Sequence, residues 1–318
     1  MLEEDGNLAL NDRRLDILVH DQRKAALWMK HHRLIASSPR CSVCSMLLKW
    51  VIQRNCADYF AWKCINIECE QFKMLHFIRS NSIFDDMRLS LGSYIEAMRL
   101  WSAGIVIRRA AKRSGIPNAS LTSAYRRFRD VCVNYIERNS LQLGGVKSDC
   151  QAHIIQIITK FHIKQSWEAF KFHVLIIVDL NSKPQVFHLE AIEDLSPESI
   201  MLVIRKIVMR GTRISCGQSV PIQALIEHNA QTHRALMLES DGIASDEFHF
   251  CGAEFTNIGK VNAMKSLLWK LRCGLLASYR LCGLASCEGA AAEYLWTYRF
   301  SDNPFANLCQ HITKYCSF

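Results

Sequence analysis

The residues of this chain best suited to chemistry are cysteines and arginines. Cys41-Ser42-Val43-Cys44 and Cys64-Ile65-Asn66-Ile67-Glu68-Cys69 form two close pairs with nineteen residues between them. Tetrahedral Zn²⁺ takes four soft ligands at roughly 2.3 Å, and two tight turns that each present two thiolates supply them once short strands bring the turns together. The spacing predicts a structural zinc site in a ribbon, with Cys41, Cys44, Cys64 and Cys69 as ligands. A close pair alone is weak evidence among 14 cysteines, since Cys282 and Cys287 repeat the x4 spacing without partners. The quartet gains weight from its β-prone, basic setting, with Trp62 beside Cys64. Cys56, between the pairs, reads as an ordinary buried thiol.

The arginines that matter lie further on. Val106 to Ile136 contains Ala110-Ala111-Lys112-Arg113-Ser114-Gly115-Ile116, a turn, and then Ser120 to Tyr135 carrying Arg126, Arg127 and Arg129. Two helices joined through a glycine turn, the second one basic, resemble a helix-turn-helix, in which the second helix enters the major groove and arginines meet phosphates or guanine edges. Arg126, Arg127 and Arg129 are the candidate DNA contacts. The same pattern also suits a plain helical hairpin with one solvated face. The histidines His228, His233 and His249 show no tight ligand spacing beyond His228-x4-His233 and read as surface or core residues.

Composition bounds these readings. The chain has 318 residues, 49% of them hydrophobic, with 39 Lys+Arg against 30 Asp+Glu and a net charge of +9. It is too long and too apolar for a disordered tail. Its longest apolar stretch, around Val174 to Val178, is far shorter than the roughly 20 residues of a spanning helix, so no membrane partner is expected. The acidic opening Met1-Leu2-Glu3-Glu4-Asp5 disfavours a secretory signal. The expected compartment is a reducing one, nuclear or cytoplasmic, with the cysteines as thiols and metal ligands rather than disulfides. The excess positive charge is compatible with double-stranded DNA as partner, although solubility alone also accounts for it.

Patterning along the chain supplies the elements that would position these groups. Residues 1–40 read as a solvated helical arm, 41–84 as the zinc ribbon and 85–143 as the helix-turn-helix-like segment; 144–300 read as an α/β core and 301–318 as a C-terminal tail. Within the core, Phe170 to Asp179 and Gln185 to Ile192 are strand-like and joined by Leu180-Asn181-Ser182-Lys183-Pro184. Ser196 is a candidate N-cap with Pro197 at the first helical position of a run to Met209. Ile214-Ser215 suggests another short strand, and Gly259 to Leu276 and Ala290 to Tyr298 read as helices. Strands followed by helices interleaved with a further strand give an α/β fold class.

The order of these parts resembles the Merlin-type transposases and their bacterial ISXO-like relatives. The strings that carry the resemblance are Trp62-Lys63-Cys64 with Cys69, Ile78 to Phe84, Trp101 before the helical hairpin, Gly144 to Asp149, Gly211-Thr212-Arg213-Ile214-Ser215, and Thr256-Asn257 ahead of Val261 to Met264. The resemblance covers residues 40 to 300 and implies an N-terminal zinc ribbon, a helix-turn-helix, and an RNase H-like core that performs strand transfer with Mg²⁺ or Mn²⁺ held by three acidic residues. By it, Asp149 takes the first acidic position, Gly217 the second and Asn262 the third. Lys147, Cys150, Ser219 and Lys265 also depart from the family pattern. Glycine offers a metal no ligand, and an amide ligates weakly.

One carboxylate, one glycine and one asparagine would bring at most one negative charge toward two divalent cations. The resemblance therefore implies a transposase-derived DNA-binding protein with strand transfer lost or impaired. Two alternatives stand beside it. One is an active nucleotidyltransferase with a rearranged triad, for which Asp179, Asp194, Asp246 and Glu254 are the chemically suitable acids. The other is a protein-interaction module with no DNA role. Family members act as multimers, so a homo-oligomer is compatible with the resemblance.

Overall fold

The computed structural model describes residues 12–85, 89–163, 166–182, 185–217, 219–229, 249–252, 266, 268–271, 273 and 284–316. The chain is a mixture of helices and sheets divided into two compact units, residues 1–135 with 300–318, and residues 136–299.

The first unit begins with α1 (Asp12–His20) and α2 (Gln22–His31). Asp21 caps α2 by accepting from the backbone N–H groups of Arg23 and Lys24, which satisfies donors that the first helical turn leaves open. Ala25, Ala26 and Met29 share one face of α2 and are fully buried, as are Leu34 and Ile35 beyond it. The expected solvated arm is therefore corrected: these helices belong to the core of the unit. A Cβ at Gly92, in the first turn of α3 (Leu91–Ser102), would lie 3.0 Å from the carbonyl carbon of Val19, so glycine permits the close approach of α3 to α1.

Between them, β1 (Lys49–Ile52), β2 (Phe60–Lys63) and β3 (Leu75–His76) form an antiparallel sheet of three strands. Trp50 faces Trp62 across the β1–β2 register, and its ring stacks on Phe60 at 4.8 Å. The Lys30 ammonium lies 4.6 Å from the Trp50 ring centre and 5.0 Å from that of Trp62. This is a cation–π contact from α2 onto the sheet, and burial there lowers the Lys30 pKa. Asp58 and Arg79, both buried, form a forked ion pair, and Arg79 also donates to the Leu89 carbonyl at 2.6 Å.

Three helices follow. Ser90 caps α3 through the Ser93 N–H, and α4 (Ile107–Ser114) ends at Gly115, whose φ of +72° is the left-handed closure that glycine favours. Then comes α5 (Asn118–Arg138), which buries Leu121, Ala124, Phe128, Val131 and Cys132 on one face. Tyr125 donates to the Ile105 carbonyl at 3.0 Å. The segment after residue 300, expected as a tail, is instead ordered: Asn303 caps a helix over Pro304–Tyr315 with Pro304 at its start, and Leu308, Cys309 and Ile312 are buried.

His311 on that helix stacks on Tyr135, ring centres 3.8 Å apart, and meets Phe300 edge-on at 4.8 Å. Burial pushes its pKa down to about 4, so the folded state holds it neutral while the unfolded chain protonates near the ordinary value of about 6.5. Stability is therefore lost as pH falls from about 6.5 toward 4. Between pH 7 and pH 5 the loss is about 2 kcal/mol, a fall in melting temperature of roughly 4–8 °C. Thermal melts of the natural chain and His311→Phe at both pH values test this, and the variant is expected to lose that share of the pH dependence.

In the second unit, β5 (Asp149–Ile163) and β6 (Ser166–Asp179) form a long antiparallel hairpin. β7 (Phe187–Ile192) adds antiparallel to β6, β9 (Arg213–Cys216) pairs parallel to β5, and β10 (His249–Gly252) pairs parallel to β9. The order across the sheet is β10-β9-β5-β6-β7. Helix α6 (Pro197–Ile207), capped by Ser196, makes the crossover from β7 to β9 that parallel pairing requires. Its Ile200, Val203, Ile204 and Ile207 join one sheet face, through Cys150, Ala152, Ile154, Leu175, Ile177, Ile214 and Cys216, in a single buried cluster. A further helix, α7 (Leu284–Arg299), packs on β7 and β6, with the Tyr298 ring 4.5 Å from that of Phe187. The short strands β4 (Leu143–Gly144) and β8 (Val208–Met209) pair separately.

Candidate metal centre and nucleic-acid interface

Two turns bring the four predicted thiols together. In the first, Ser45 N–H donates to the Cys41 carbonyl at 2.9 Å and Cys41 N–H to the Met46 carbonyl at 2.8 Å, folding Cys44 back toward Cys41. In the second, Cys69 N–H donates to the Asn66 carbonyl at 3.1 Å and Lys73 N–H to the Cys64 carbonyl at 2.9 Å. The Sγ atoms of Cys41, Cys44, Cys64 and Cys69 all lie within 4.8 Å of one another. Cys41 to Cys69 and Cys44 to Cys64 are each 3.8 Å. A tetrahedron with metal–sulfur bonds of about 2.3 Å has edges of about 3.8 Å. The four thiols thus could bind a metal ion, with spacings compatible with structural zinc. The Met46 N–H lowers the Cys44 pKa to about 7, and Gln71 N–H donates to Cys69 Sγ at 3.4 Å. Both donors favour the thiolate, but at Cys69 burial outweighs the Gln71 N–H and pushes the thiol up to about 12. Among the described residues, this is the single group of three or more potential ligands within metal reach.

The arginines of α5 are less uniform than the sequence suggests. Arg126 is exposed, whereas Arg127 is half-buried and donates to the Ile83 carbonyl at 2.8 Å, and Arg129 is half-buried. Arg127 therefore braces the loop before α3 instead of projecting into solvent. The exposed cations lie instead on α4, where Arg108, Arg109, Lys112 and Arg113 all face solvent. Sequence reading missed them by assigning the contact to the second helix of the hairpin. The signal was present as cations at i, i+1, i+4 and i+5, positions that share one helical face.

On the sheet, the two described positions assigned through the resemblance, 149 and 217, lie apart. Asp149 opens β5 opposite Arg213, whose Nε donates to its carboxylate at 2.6 Å. Gly217, just past β9, donates to the Ala152 carbonyl at 2.9 Å and sits beside His153. The offset from 149 to 153 is four residues, or about 13 Å along a strand, too far for one two-metal site whose ions lie about 4 Å apart. A Cβ at Gly217 would lie 2.7 Å from His153 Cε1 and 3.3 Å from its Cγ, so the imidazole occupies the space a side chain there would need. Burial lowers the His153 pKa, and its Nε2 is buried without a hydrogen-bond partner among the described residues, as are both amide atoms of Gln151 two residues before it. The polar groups at the middle of this face are therefore an imidazole and an amide.

The other acids considered are committed elsewhere or lie outside the described residues. Asp179 accepts from the N–H groups of Gly144, Asn181 and Ser182 and so ties the turn after β6. Asp194 accepts from the N–H and hydroxyl of Ser196. Asn262, Lys265, Asp246, Glu254 and His233 are outside the described residues, as are Thr256-Asn257 and Val261 to Met264. For His249 the backbone alone is described. No described helix is long and apolar enough to cross a membrane.

No protein-family model matches the chain, and no curated protein does. Among solved structures, the cryo-EM structure of a simian T-cell lymphotropic virus intasome in complex with PP2A regulatory subunit B56 gamma aligns with 69% of this chain at 12% identity and a TM-score of 0.23. The alignment spans 66% of that neighbour's chain.

Proposed function

We propose that this chain is a transposase-derived DNA-binding protein, related to the Merlin-type and ISXO-like transposases, that no longer performs strand transfer. The observation that carries the reading is that the two described positions which the resemblance assigns to metal ligands supply a single carboxylate, Asp149, already held by Arg213, and a glycine beside His153 four residues further along the strand. A neutral imidazole against a glycine supplies none of the negative charge that two divalent ions require. The sheet order, three antiparallel strands with two parallel ones added beside the first and one helical crossover, supports an RNase H-like core. The thiol tetrahedron supports a structural zinc ribbon in front of it. Zinc there would fix two turns that have little apolar core of their own, and the chain's residues would do the rest by holding the β1–β3 sheet.

The reading separates from an active enzyme in one experiment. Purified chain is incubated with duplex DNA and Mg²⁺ or Mn²⁺, and both complex formation and strand breaks are scored. Binding without breaks is expected. A specific feature favours the interaction-module alternative as well: Met46, Leu47, Ile52, Ile67, Met74 and Phe77 in the ribbon are exposed. That alternative predicts no duplex binding even at low salt.

A further inference from the structure

The structure assigns the duplex-facing surface to α4, with Arg108, Arg109, Lys112 and Arg113 as its phosphate contacts and the arginines of α5 in a lesser role. This inference rests on the DNA-binding reading above and gives it an address.

The arrangement of charge on α4 is costly to the helix. α4 has eight residues, four of them cations and none acidic, and its N-cap, Val106, makes no side-chain hydrogen bond. Cations in a last turn complement the helix dipole, which accounts for Lys112 and Arg113. Arg108 and Arg109 lie in the first turn, where the dipole disfavours positive charge. Arg108 with Lys112, and Arg109 with Arg113, are like-charge pairs one turn apart, each destabilising a helix in water. A short helix without a side-chain cap at its N-terminus is a poor place to bear these penalties.

Among the described residues nothing relieves them. None of the four side chains makes a hydrogen bond or ion pair with a described residue, and all four are exposed. On the opposite side, Ala110 is buried and Tyr125 holds the Ile105 carbonyl just before the helix, so α4 is anchored by its small apolar face with its charges outward. A polyanion at this face removes both the repulsion and the unfavourable first turn.

The occupant follows from the chemistry. A helix lying on a lipid surface needs large apolar side chains to insert. α4 has no aromatic residue, and its sequence IRRAAKRS offers one large aliphatic, Ile107. Three arginines and a lysine in two rows, about 6 Å apart along the axis from one turn to the next, suit a regular array of phosphates, and arginine's planar fork matches phosphate oxygens. The helical spacing of the four cations and the exposed Arg126 on the next helix favour the phosphate backbone of duplex DNA.

The test uses the full chain loaded with zinc and a labelled 30-bp DNA duplex of mixed sequence, with affinity measured across a KCl titration. Each phosphate contact contributes about 0.9 to the slope of log K against log[salt]. The variant Arg108→Gln/Arg109→Gln/Lys112→Gln/Arg113→Gln, which keeps good helix formers at exposed positions, is expected to lose about 3 to 4 from the slope and about 30-fold or more in affinity near 100 mM KCl. Arg126→Gln is expected to lose about 1 or less. Circular dichroism and zinc content confirm that each variant is folded. If the quadruple variant keeps the natural slope while Arg126→Gln reduces it, the address is wrong and the DNA-binding reading stands. If the natural chain binds no duplex at 20 mM KCl, both are wrong. Tighter binding to an RNA duplex or to vesicles with 30% phosphatidylserine than to DNA also overturns the assignment.

Discussion

Replacing Cys64 with serine is expected to abolish the bound metal and unfold the ribbon while the second unit keeps its structure. The effect is large because the turns holding the thiols have almost no packing of their own: Val43, Met46, Ile65 and Ile67 all point to solvent. A structural zinc contributes about 10–16 kcal/mol of apparent binding free energy in small ribbons and fingers, far more than three short strands supply. Four thiols confined within 4.8 Å would otherwise repel as they ionise. Native mass spectrometry should find one zinc per natural chain and none in Cys64→Ser. The same loss should follow a strong chelator, with a red shift of tryptophan fluorescence as Trp50 and Trp62 become wet. A natural chain free of metal, with fluorescence unmoved by chelator, would show that the thiols pack without an ion.

The second large effect concerns position 217. Gly217→Ala is expected to destabilise the second unit by about 1–3 kcal/mol, because position 217 is buried and its methyl group meets the half-buried His153 ring. Gly217→Asp should cost about 3 kcal/mol or more, since it adds a carboxylate to the same crowded place. In a His153→Ala background the Gly217→Ala cost should fall below about 0.5 kcal/mol, a coupling that urea melts of the four-membered cycle measure directly. Equal costs in both backgrounds would mean that the two residues do not compete for space. It follows that Gly217→Asp alone does not restore a metal site. The pair His153→Asp/Gly217→Asp, with carboxylates on adjacent strands, should gain Mn²⁺-dependent thermal stabilisation that the natural chain lacks.

Several of these features were legible in the sequence because they are local. Cys41 with Cys44 and Cys64 with Cys69 need only tight turns, and their spacing is enough to find the quartet. The apolar run through Val174 to Val178 and the Ser196-Pro197 start likewise announce a strand and a helix within their own few residues. What escaped depends on distant pairing. Nothing in the text places Gly217 beside His153 rather than Asp149, because the parallel register of β5 and β9 joins residues 64 apart, as Asp149 with Arg213. The first helices hid their burial in small residues, Ala25 and Ala26, whose weak apolar signal is lost among charges. Arg127 looked like its neighbours until its bond to Ile83 was seen.

A chain that keeps cations on α4 at a cost to helix stability, yet places an imidazole against a glycine at the position that resemblance assigns to a metal-binding acid, fits binding retained after catalysis is lost. The most direct measurement is a nicking assay on supercoiled and short duplex DNA with Mg²⁺ or Mn²⁺, run beside a gel shift on the same protein. The account predicts a salt-sensitive complex and no metal-dependent strand breaks from the natural chain. Metal-dependent breaks that disappear in Asp149→Asn would contradict it.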